Sequence, residues 1–301
     1  MLLLAGGDSE IGLAALERLR ARGRDIVATT RRVRPAATNV IRLDLNDSLA
    51  AWEPPPGTTS ACILAAIARP ADCAADPAAS AHINVTQTLA LAERLLRDGI
   101  EVVFISTDQV FDGRVPHTPA DTPTTPVSEY GRQKARTEAA LLAHMARGAP
   151  VAILRLSKVL SPRTNFFQDW IVGLKSGRAI RVFRDKTMAP VPIDTVADAI
   201  DALARDRARG LFQLTGPRDV AYTEVARHIV ERLGADKSLI ASISAASAGL
   251  PEGTMPLHTT LDSAAMRERY GMRVPDVLDV IDELLDKTVS WPAKESFAQF
   301  R

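Results

Sequence analysis

The first strand-like run of this chain passes straight into a glycine turn and then a helix. Residues 2–5 are apolar, Gly6-Gly7-Asp8-Ser9-Glu10-Ile11-Gly12 follows, and residues 10–21 carry Ile11, Ala14, Ala15, Leu16 and Leu19 at helical spacing. The alternation then repeats. Residues 25–30, 40–43 and 61–66 read as strands without in–out alternation, as expected where both sheet faces are covered. Residues 77–97 read as a long Ala/Leu helix stopped by Asp98-Gly99, 101–106 as a strand, 128–147 as a helix closed by Gly148, and 151–156 as a strand. This βαβ rhythm predicts an α/β fold with a doubly wound parallel sheet. Ligands of such sheets bind at the carboxyl ends of the strands.

After residue 156 the rhythm breaks. Residues 165–176 and 222–233 read as amphipathic helices, and 262–286 as two more, while 194–205 and 210–214 read as a last helix and strand returning to the sheet. The expected organisation is a cofactor domain of residues 1–157 and about 188–215, with a smaller, mostly helical substrate domain of about 158–187 and 216–301.

Composition removes several function classes. Lys plus Arg number 37 against 36 Asp plus Glu, so no basic excess points to nucleic acid or a membrane surface. Arg18, Arg20, Arg22 and Arg24 read as the solvated face of the first helix and its exit. Cys62 and Cys73 offer neither a disulfide framework nor metal spacing, and the five histidines lack a zinc pattern, so no metal is expected. The opening Met1-Leu2-Leu3-Leu4-Ala5 is too short for a signal or a span and reads as the first strand of a cytoplasmic protein.

Two sets of residues carry chemistry. Glycines at Gly6 and Gly12, with the small Ser9 between them and Glu10 and Ile11 opening the helix, suit a pyrophosphate at a helix N-terminus in a Rossmann-type site. The second strand ends in Thr30-Arg31-Arg32 rather than an acid; arginine forks suit a 2′-phosphate, so NADP(H) is expected, NADPH preferred and NAD left open. Asp44-Leu45 stands where adenine would be met, and the small Ala65, Ala66 and Ala68 allow close backbone approach. The second set is Thr107, at the end of a strand, with Tyr130 and Lys134 four residues apart on one helix face. A free phenol titrates near ~10, and a fixed positive charge beside it is expected to lower that value. Alone, a Tyr–Lys pair at this spacing is often an exposed pair of little energetic weight.

With these motifs in place the chain resembles the extended short-chain dehydrogenase/reductases, and more narrowly the dTDP-4-dehydrorhamnose reductase family. The resemblance rests on Ser106-Thr107-Asp108-Gln109-Val110-Phe111-Asp112-Gly113, Tyr130-Gly131-Arg132-Gln133-Lys134, Ile83-Asn84-Val85, Ala189-Pro190 through Ile193-Asp194, Gly210-Leu211-Phe212-Gln213-Leu214, and Leu261-Asp262 to Tyr270-Gly271. It implies hydride transfer from NAD(P)H to a keto carbon of a nucleotide-linked sugar, with Thr107 on the carbonyl oxygen and Tyr130 as proton donor. It further implies that Lys134 binds the nicotinamide ribose and lowers the Tyr130 pKa, and that Asn84 supports a helix bend and water near that lysine. Asp108, Val110, Phe111, Lys158 and Pro190 would face the substrate. The chain departs from the family at Arg155-Leu156-Ser157-Lys158-Val159-Leu160, where an aromatic is usual, at Val191-Pro192, and at Ala120. The expected substrate is therefore altered from the family type. Lys158 reads equally as a contact to an anionic group or as an ordinary exposed lysine.

Gln109 stands where a dehydratase needs a carboxylate, which disfavours dehydration. A 4-epimerase with retained cofactor and a non-catalytic NADP-binding regulatory or scaffold subunit are the rival readings. The Ala-rich helices before and after residue 101 could pair subunits in a homodimer or pack within one chain.

Overall fold

The computed structural model describes residues 1–32, 39–249 and 256–289. In chain order its first half runs β1 (Leu2–Ala5), α1 (Glu10–Ala21), β2 (Ile26–Thr30), β3 (Val40–Arg42), β4 (Ser60–Ile63), α2 (Pro70–Ala75), α3 (Pro77–Ala81), α4 (Thr88–Arg97), β5 (Glu101–Thr107), α5 (Glu129–Ala146) and β6 (Val151–Leu156). The second half runs β7 (Val159–Leu160), α6 (Asn165–Lys175), β8 (Ile180–Phe183), β9 (Thr187–Met188), β10 (Val191–Pro192), α7 (Ile193–Arg205), β11 (Gly210–Leu214), β12 (Val220–Ala221), α8 (Tyr222–Leu233), β13 (Ile240–Ile243), α9 (Ala264–Tyr270) and α10 (Val277–Val289).

Seven strands form one sheet in the order β11-β6-β5-β4-β1-β2-β3, every pair parallel. This is the doubly wound Rossmann-like sheet expected from the alternation. The order reverses between β1 and β4, which opens a crevice at their carboxyl ends. Successive side chains of a strand face opposite sides, and β1 shows it: Leu2 and Leu4 join a core with Ala15, Leu19, Ile200 and Leu203, whereas Leu3 and Ala5 join one with Leu91, Leu95 and Leu141. Burial on both faces explains why these strands read as unbroken apolar runs.

A third core is separate in composition. Phe167, Trp170 and Leu174 of α6 pack with Val225 and Ile229 of α8, Val280 and Ile281 of α10, and Ile180, Val182, Met188 and Val220. Three short pairings supplement the helices expected here: β7 with β10 and β8 with β13 in parallel, and β9 with β12 antiparallel.

Two expectations change. The helix expected over 77–97 is interrupted by a π-helical turn at His82–Gln87, and α2, with Pro70 at its start, precedes it. Of the arginines assigned to a solvated face and helix exit, Arg20 is exposed, whereas the other three tie α1 and its exit to α7. Arg18 and Arg22 both meet Asp198 at 2.7 Å, and Arg24 pairs with Asp201. Among the described residues no helix is long and apolar enough to cross a membrane.

Glu101, at the start of β5, is fully buried, and neither carboxylate oxygen has a hydrogen-bond partner. Burial pushes its carboxyl from 4.5 up to about 7, while Arg207 and Arg209 pull it down and Asp206 adds to the rise. The folded chain thus keeps a proton that the unfolded chain releases in this window, so stability falls as pH rises through it. Glu101→Gln should raise the unfolding free energy at pH 8 by on the order of 2 kcal/mol and leave it nearly unchanged at pH 4. Urea titrations at the two pH values check this, and equal effects at both would refute it.

Candidate active site

Thr107 ends β5 and caps the 3-10 turn Asp108–Val110. Its hydroxyl accepts the Gln109 N–H at 3.2 Å and donates to Asp108 Oδ1 at 2.9 Å. The next helix is anchored to that turn. Ser128, the N-cap of α5, accepts the Gly131 N–H at 3.0 Å and donates to Gln109 Oε1 at 3.0 Å. Gly131 is needed for the approach, because a Cβ there would lie 2.1 Å from the Gln109 carbonyl oxygen. Tyr130 is thereby held, 8% exposed, beside Asp108. One turn on, the buried Lys134 donates to the Ile105 carbonyl at 2.8 Å and lies 4.4 Å above the Phe104 ring and 5.9 Å from the Tyr130 ring centre. Thr107, Tyr130 and Lys134 therefore meet at the carboxyl end of β5.

Their electrostatics differ from the expectation in one respect. Burial pushes Lys134 down to about 8, against an upward pull from Glu138 and the two thiols. Tyr130, expected to be lowered by its lysine, is raised instead, first by burial and then by the Asp108 charge. The ammonium is spent on the Ile105 carbonyl and the Phe104 face, so desolvation of the phenolate dominates. The phenol stays protonated at neutral pH, which is the form a proton donor requires.

The glycine turn lies at the crevice. Gly6 has φ 94°, and a Cβ on it would come 2.6 Å from the Ala65 nitrogen; one on Gly12 would come 2.6 Å from the Gly6 carbonyl. Ser9 caps α1 by accepting the Gly12 N–H at 3.1 Å. The N–H groups of Glu10 and Ile11, in the first turn, have no intrahelical acceptor, and with the helix dipole they suit an anion. The side chains of these two residues have other tasks: the Glu10 carboxylate accepts the Ser161 hydroxyl, and Ile11 packs against the core.

At the end of β2, Thr30 donates to Asp8 at 3.0 Å and accepts the Arg32 N–H at 3.2 Å; Arg31 and Arg32 are exposed. Asp44 accepts both the backbone and side-chain N–H of Asn46 at 2.9 Å, which, with Arg42 and Arg31, holds its carboxyl below the usual range. Leu45 is a core side chain, so only its backbone is available to a ligand. Ala65 lies against Gly6, Ala66 is half-buried and Ala68 exposed.

Asn84 sits in the π-helical turn. Its side chain accepts the Ile67 N–H at 2.8 Å and donates to the Ile67 carbonyl at 3.0 Å and to Gln133 Oε1 at 2.7 Å. Gln133 in turn donates to Ser80 Oγ at 2.8 Å, and Thr137 donates to the Asn84 carbonyl at 2.9 Å. The bend expected at Asn84 is present, but the side chain clamps the loop after β4 to α5. Gln133 and Thr137 were not anticipated from the sequence, although both lie on the helix face that carries Lys134.

The residues assigned to the substrate divide. Val110 and Phe111 are buried in a small cluster with Ala135 and Leu261, and the Arg155 guanidinium lies 4.9 Å over the Phe111 ring, so these two shape the loop from inside rather than facing a ligand. Burial pushes Asp108 up to about 6, against its bonds to Thr107 and the turn backbone and the Lys158 charge. Lys158 is exposed, with its ammonium 5.0 Å over Phe166. Pro190 follows Ala189, whose carbonyl accepts the Ser157 hydroxyl. A second lysine, Lys186, was missed: it stands in no motif, and only the folded chain brings it near Lys158.

Comparisons with known proteins give the family and the fold. The family model described as RmlD substrate binding domain matches residues 1–290. The probable low-salt glycan biosynthesis reductase Agl14 of Haloferax volcanii is 30% identical over 219 residues, covering 69% of this chain and 70% of that protein. The dTDP-4-keto-6-deoxy-D-glucose reductase of Streptomyces niveus is 29% identical over 256 residues, covering 82% and 86%. The crystal structure of dTDP-4-dehydrorhamnose reductase from Bacillus anthracis in complex with NADP is similar with a TM-score of 0.79 at 18% identity, over 95% of this chain and 98% of that one, a likeness of fold.

The Gly131 contact has a measurable consequence. Gly131→Ala must push the start of α5 away from Gln109, and should cost about 1–3 kcal/mol of stability. Guanidinium unfolding checks it; a loss below about 0.5 kcal/mol would show that the backbones do not need this approach.

Proposed function

The chain belongs to the RmlD substrate binding domain family, and on that premise we propose that it is an NAD(P)H-dependent reductase of a nucleotide-linked keto-deoxysugar, with a substrate altered from the family's dTDP-4-dehydrorhamnose. The observation that carries this reading is the convergence of Thr107, Tyr130 and Lys134 at the carboxyl end of β5, beside the glycine turn of β1. The names of its relatives, reductases of dTDP-linked and glycan sugars, support the same class.

The turn fits a dinucleotide: Gly6 and Gly12 keep the backbone close-packed where a Cβ would intrude, and the first turn of α1 offers open N–H groups. When bound, the reduced nicotinamide supplies the hydride. The chain does the rest. Tyr130 presents its hydroxyl toward the carbonyl oxygen, where negative charge develops as the carbon is reduced, and Thr107 joins it by turning its hydroxyl from Asp108 to that oxygen; donors held this close stabilise the charge. Tyr130, held protonated by burial, gives its proton to the oxygen. Lys134, an ammonium whose pKa burial lowers to about 8, gives a proton back to the phenolate and becomes the neutral amine, and it hydrogen-bonds the ribose. Gln109 is engaged by Ser128, and its amide cannot abstract a proton, which disfavours dehydration.

NADPH is the preferred donor in this reading, because Arg31 and Arg32 stand at the end of β2 and outweigh Asp8, the carboxylate held at the same edge by Thr30. The sheet unit, residues 1–157 and about 188–215, carries the cofactor. The third core, built from α6, α8 and α10, supports the sugar side.

Turnover with a panel of nucleotide-linked 4-keto sugars and both reduced nicotinamides tests the proposal, and an enzyme that binds NADPH but reduces none of them is not a reductase. Tyr130→Phe should lower kcat by about 100-fold or more while NADPH affinity changes less than about two-fold; full activity would remove Tyr130 from the mechanism. Arg31→Ala should weaken NADPH about ten-fold and NADH hardly at all, and equal losses would refute the 2′-phosphate role.

A further inference from the structure

Lys186 precedes β9 and is 8% exposed, yet its ammonium has no hydrogen bond or ion pair among the described residues. It lies 4.3 Å over the Phe183 ring, as Lys158 lies 5.0 Å over Phe166. The two rings share a support, since Tyr222 packs 5.7 Å from Phe166 and 6.1 Å from Phe183. A single aromatic platform thus holds two ammonium groups, close enough that Lys158 acts on Lys186. Among the described residues neither lysine forms an ion pair: Asp185, whose charge acts on Lys186, accepts the Ala245 N–H at 3.0 Å, and Asp108, on which Lys158 acts, accepts the Thr107 hydroxyl. Two like charges, one of them buried, are costly unless something of opposite charge completes the site.

The platform lies next to the candidate active site. Leu156 is in register with Thr107, Lys158 follows two residues later, and Lys158 is a charge that acts on Asp108. We propose that Lys158 and Lys186 together bind an oxyanion carried by the substrate, and that they set this chain's specificity. The proposal rests on the reductase reading for the identity of the ligand, but not for the existence of the anion site. The oxyanion has two chemical sources, a carboxylate on the sugar and the diphosphate that links it, and the ligands of the test separate them. Burial and then the Lys158 charge push Lys186 down to about 8, and an anion would offset both.

Calorimetric titration of the full chain saturated with NADP+ tests it, using UDP-glucuronic acid, UDP-glucose and UDP, and the dTDP counterparts of all three. Lys158→Met and Lys186→Met keep side-chain length and remove charge, and thermal melts report whether they fold. Loss of about ten-fold or more in affinity for the glucuronic acid conjugates alone assigns the lysines to a sugar carboxylate. Equal losses for all three ligands keep the oxyanion site and assign it to the diphosphate. Unchanged affinities in folded variants overturn the proposal, as does a Lys186→Arg variant that restores nothing when Lys186→Met is impaired. Should the wild type bind these ligands but reduce no keto sugar, the reductase reading fails while the anion site stands.

Discussion

The fully buried pair of Arg155 and Glu138 fixes the frame in which everything else is arranged. The Arg155 guanidinium donates to both carboxylate oxygens at 2.7–3.2 Å, and also reaches the Ala120 carbonyl at 2.8 Å and Gln213 Oε1 at 3.3 Å. Gln213 extends the network by donating to the carbonyls of Thr118 at 2.9 Å and Asp262 at 3.1 Å. One guanidinium therefore locks β6, α5, β11 and two loops together. Removing one partner from such a pair leaves a charge buried without its counterion, typically a loss of about 3–5 kcal/mol. Glu138 is one turn beyond Lys134, so the pair fixes the rotation of the helix that carries Tyr130 and Lys134. Phe111, stacked under Arg155, transmits the same constraint to the loop after Thr107.

The start of that helix is fixed by different means. Ser128 and Gly131 lock it to the turn at Gln109, and Gln133 and Thr137 lock its flank to Asn84. Asn84 in turn grips both polar groups of Ile67, in the loop that runs past the glycine turn. The π-helical turn has a clear physical purpose here. One extra residue rotates Asn84 inward, out of the position a regular α-helix would give it, and π-bulges recur at functional sites for this kind of reason. Through Asn84 the loop after β4 and the helix that carries Tyr130 and Lys134 share one rigid support.

These constraints also explain what could be read from the sequence. The strands of the sheet and the helices between them were legible because double-sided burial and a 3.6-residue period leave marks in any single chain. Thr107, Tyr130 and Lys134 were legible as a group because strand ends and i, i+4 spacing fix where side chains point. The π-turn was anticipated only as a bend at Asn84 through the resemblance, since one inserted residue leaves no period of its own in a single chain. The pairings β7–β10 and β9–β12, each two residues long, are too short to show alternation. Val110 and Phe111 lie in a stretch shared with Thr107, but whether a loop side chain faces inward depends on Arg155, far away in sequence. Lys186 was invisible for a related reason: its meaning comes from Lys158 and three aromatic rings contributed by separate elements.

The direction in which the titratable groups shift gives the site its character. Tyr130 and Asp108 are raised, while Lys134 and Lys186 are lowered, and in each case burial is the largest cause. Every one of these groups is displaced toward its neutral form, so the empty site resists charge of either sign. A charge that appears there during reaction meets little water to screen it, and fixed donors then interact with it more strongly than they would in solvent. The same property makes the lysine pair responsive to an anion. An oxyanion entering beside Lys186 favours the ammonium that burial disfavours, and ligand binding and lysine protonation become coupled. Low polarity is thus the shared physical basis of the proton donor proposed at Tyr130 and of the anion selectivity proposed for Lys158 and Lys186.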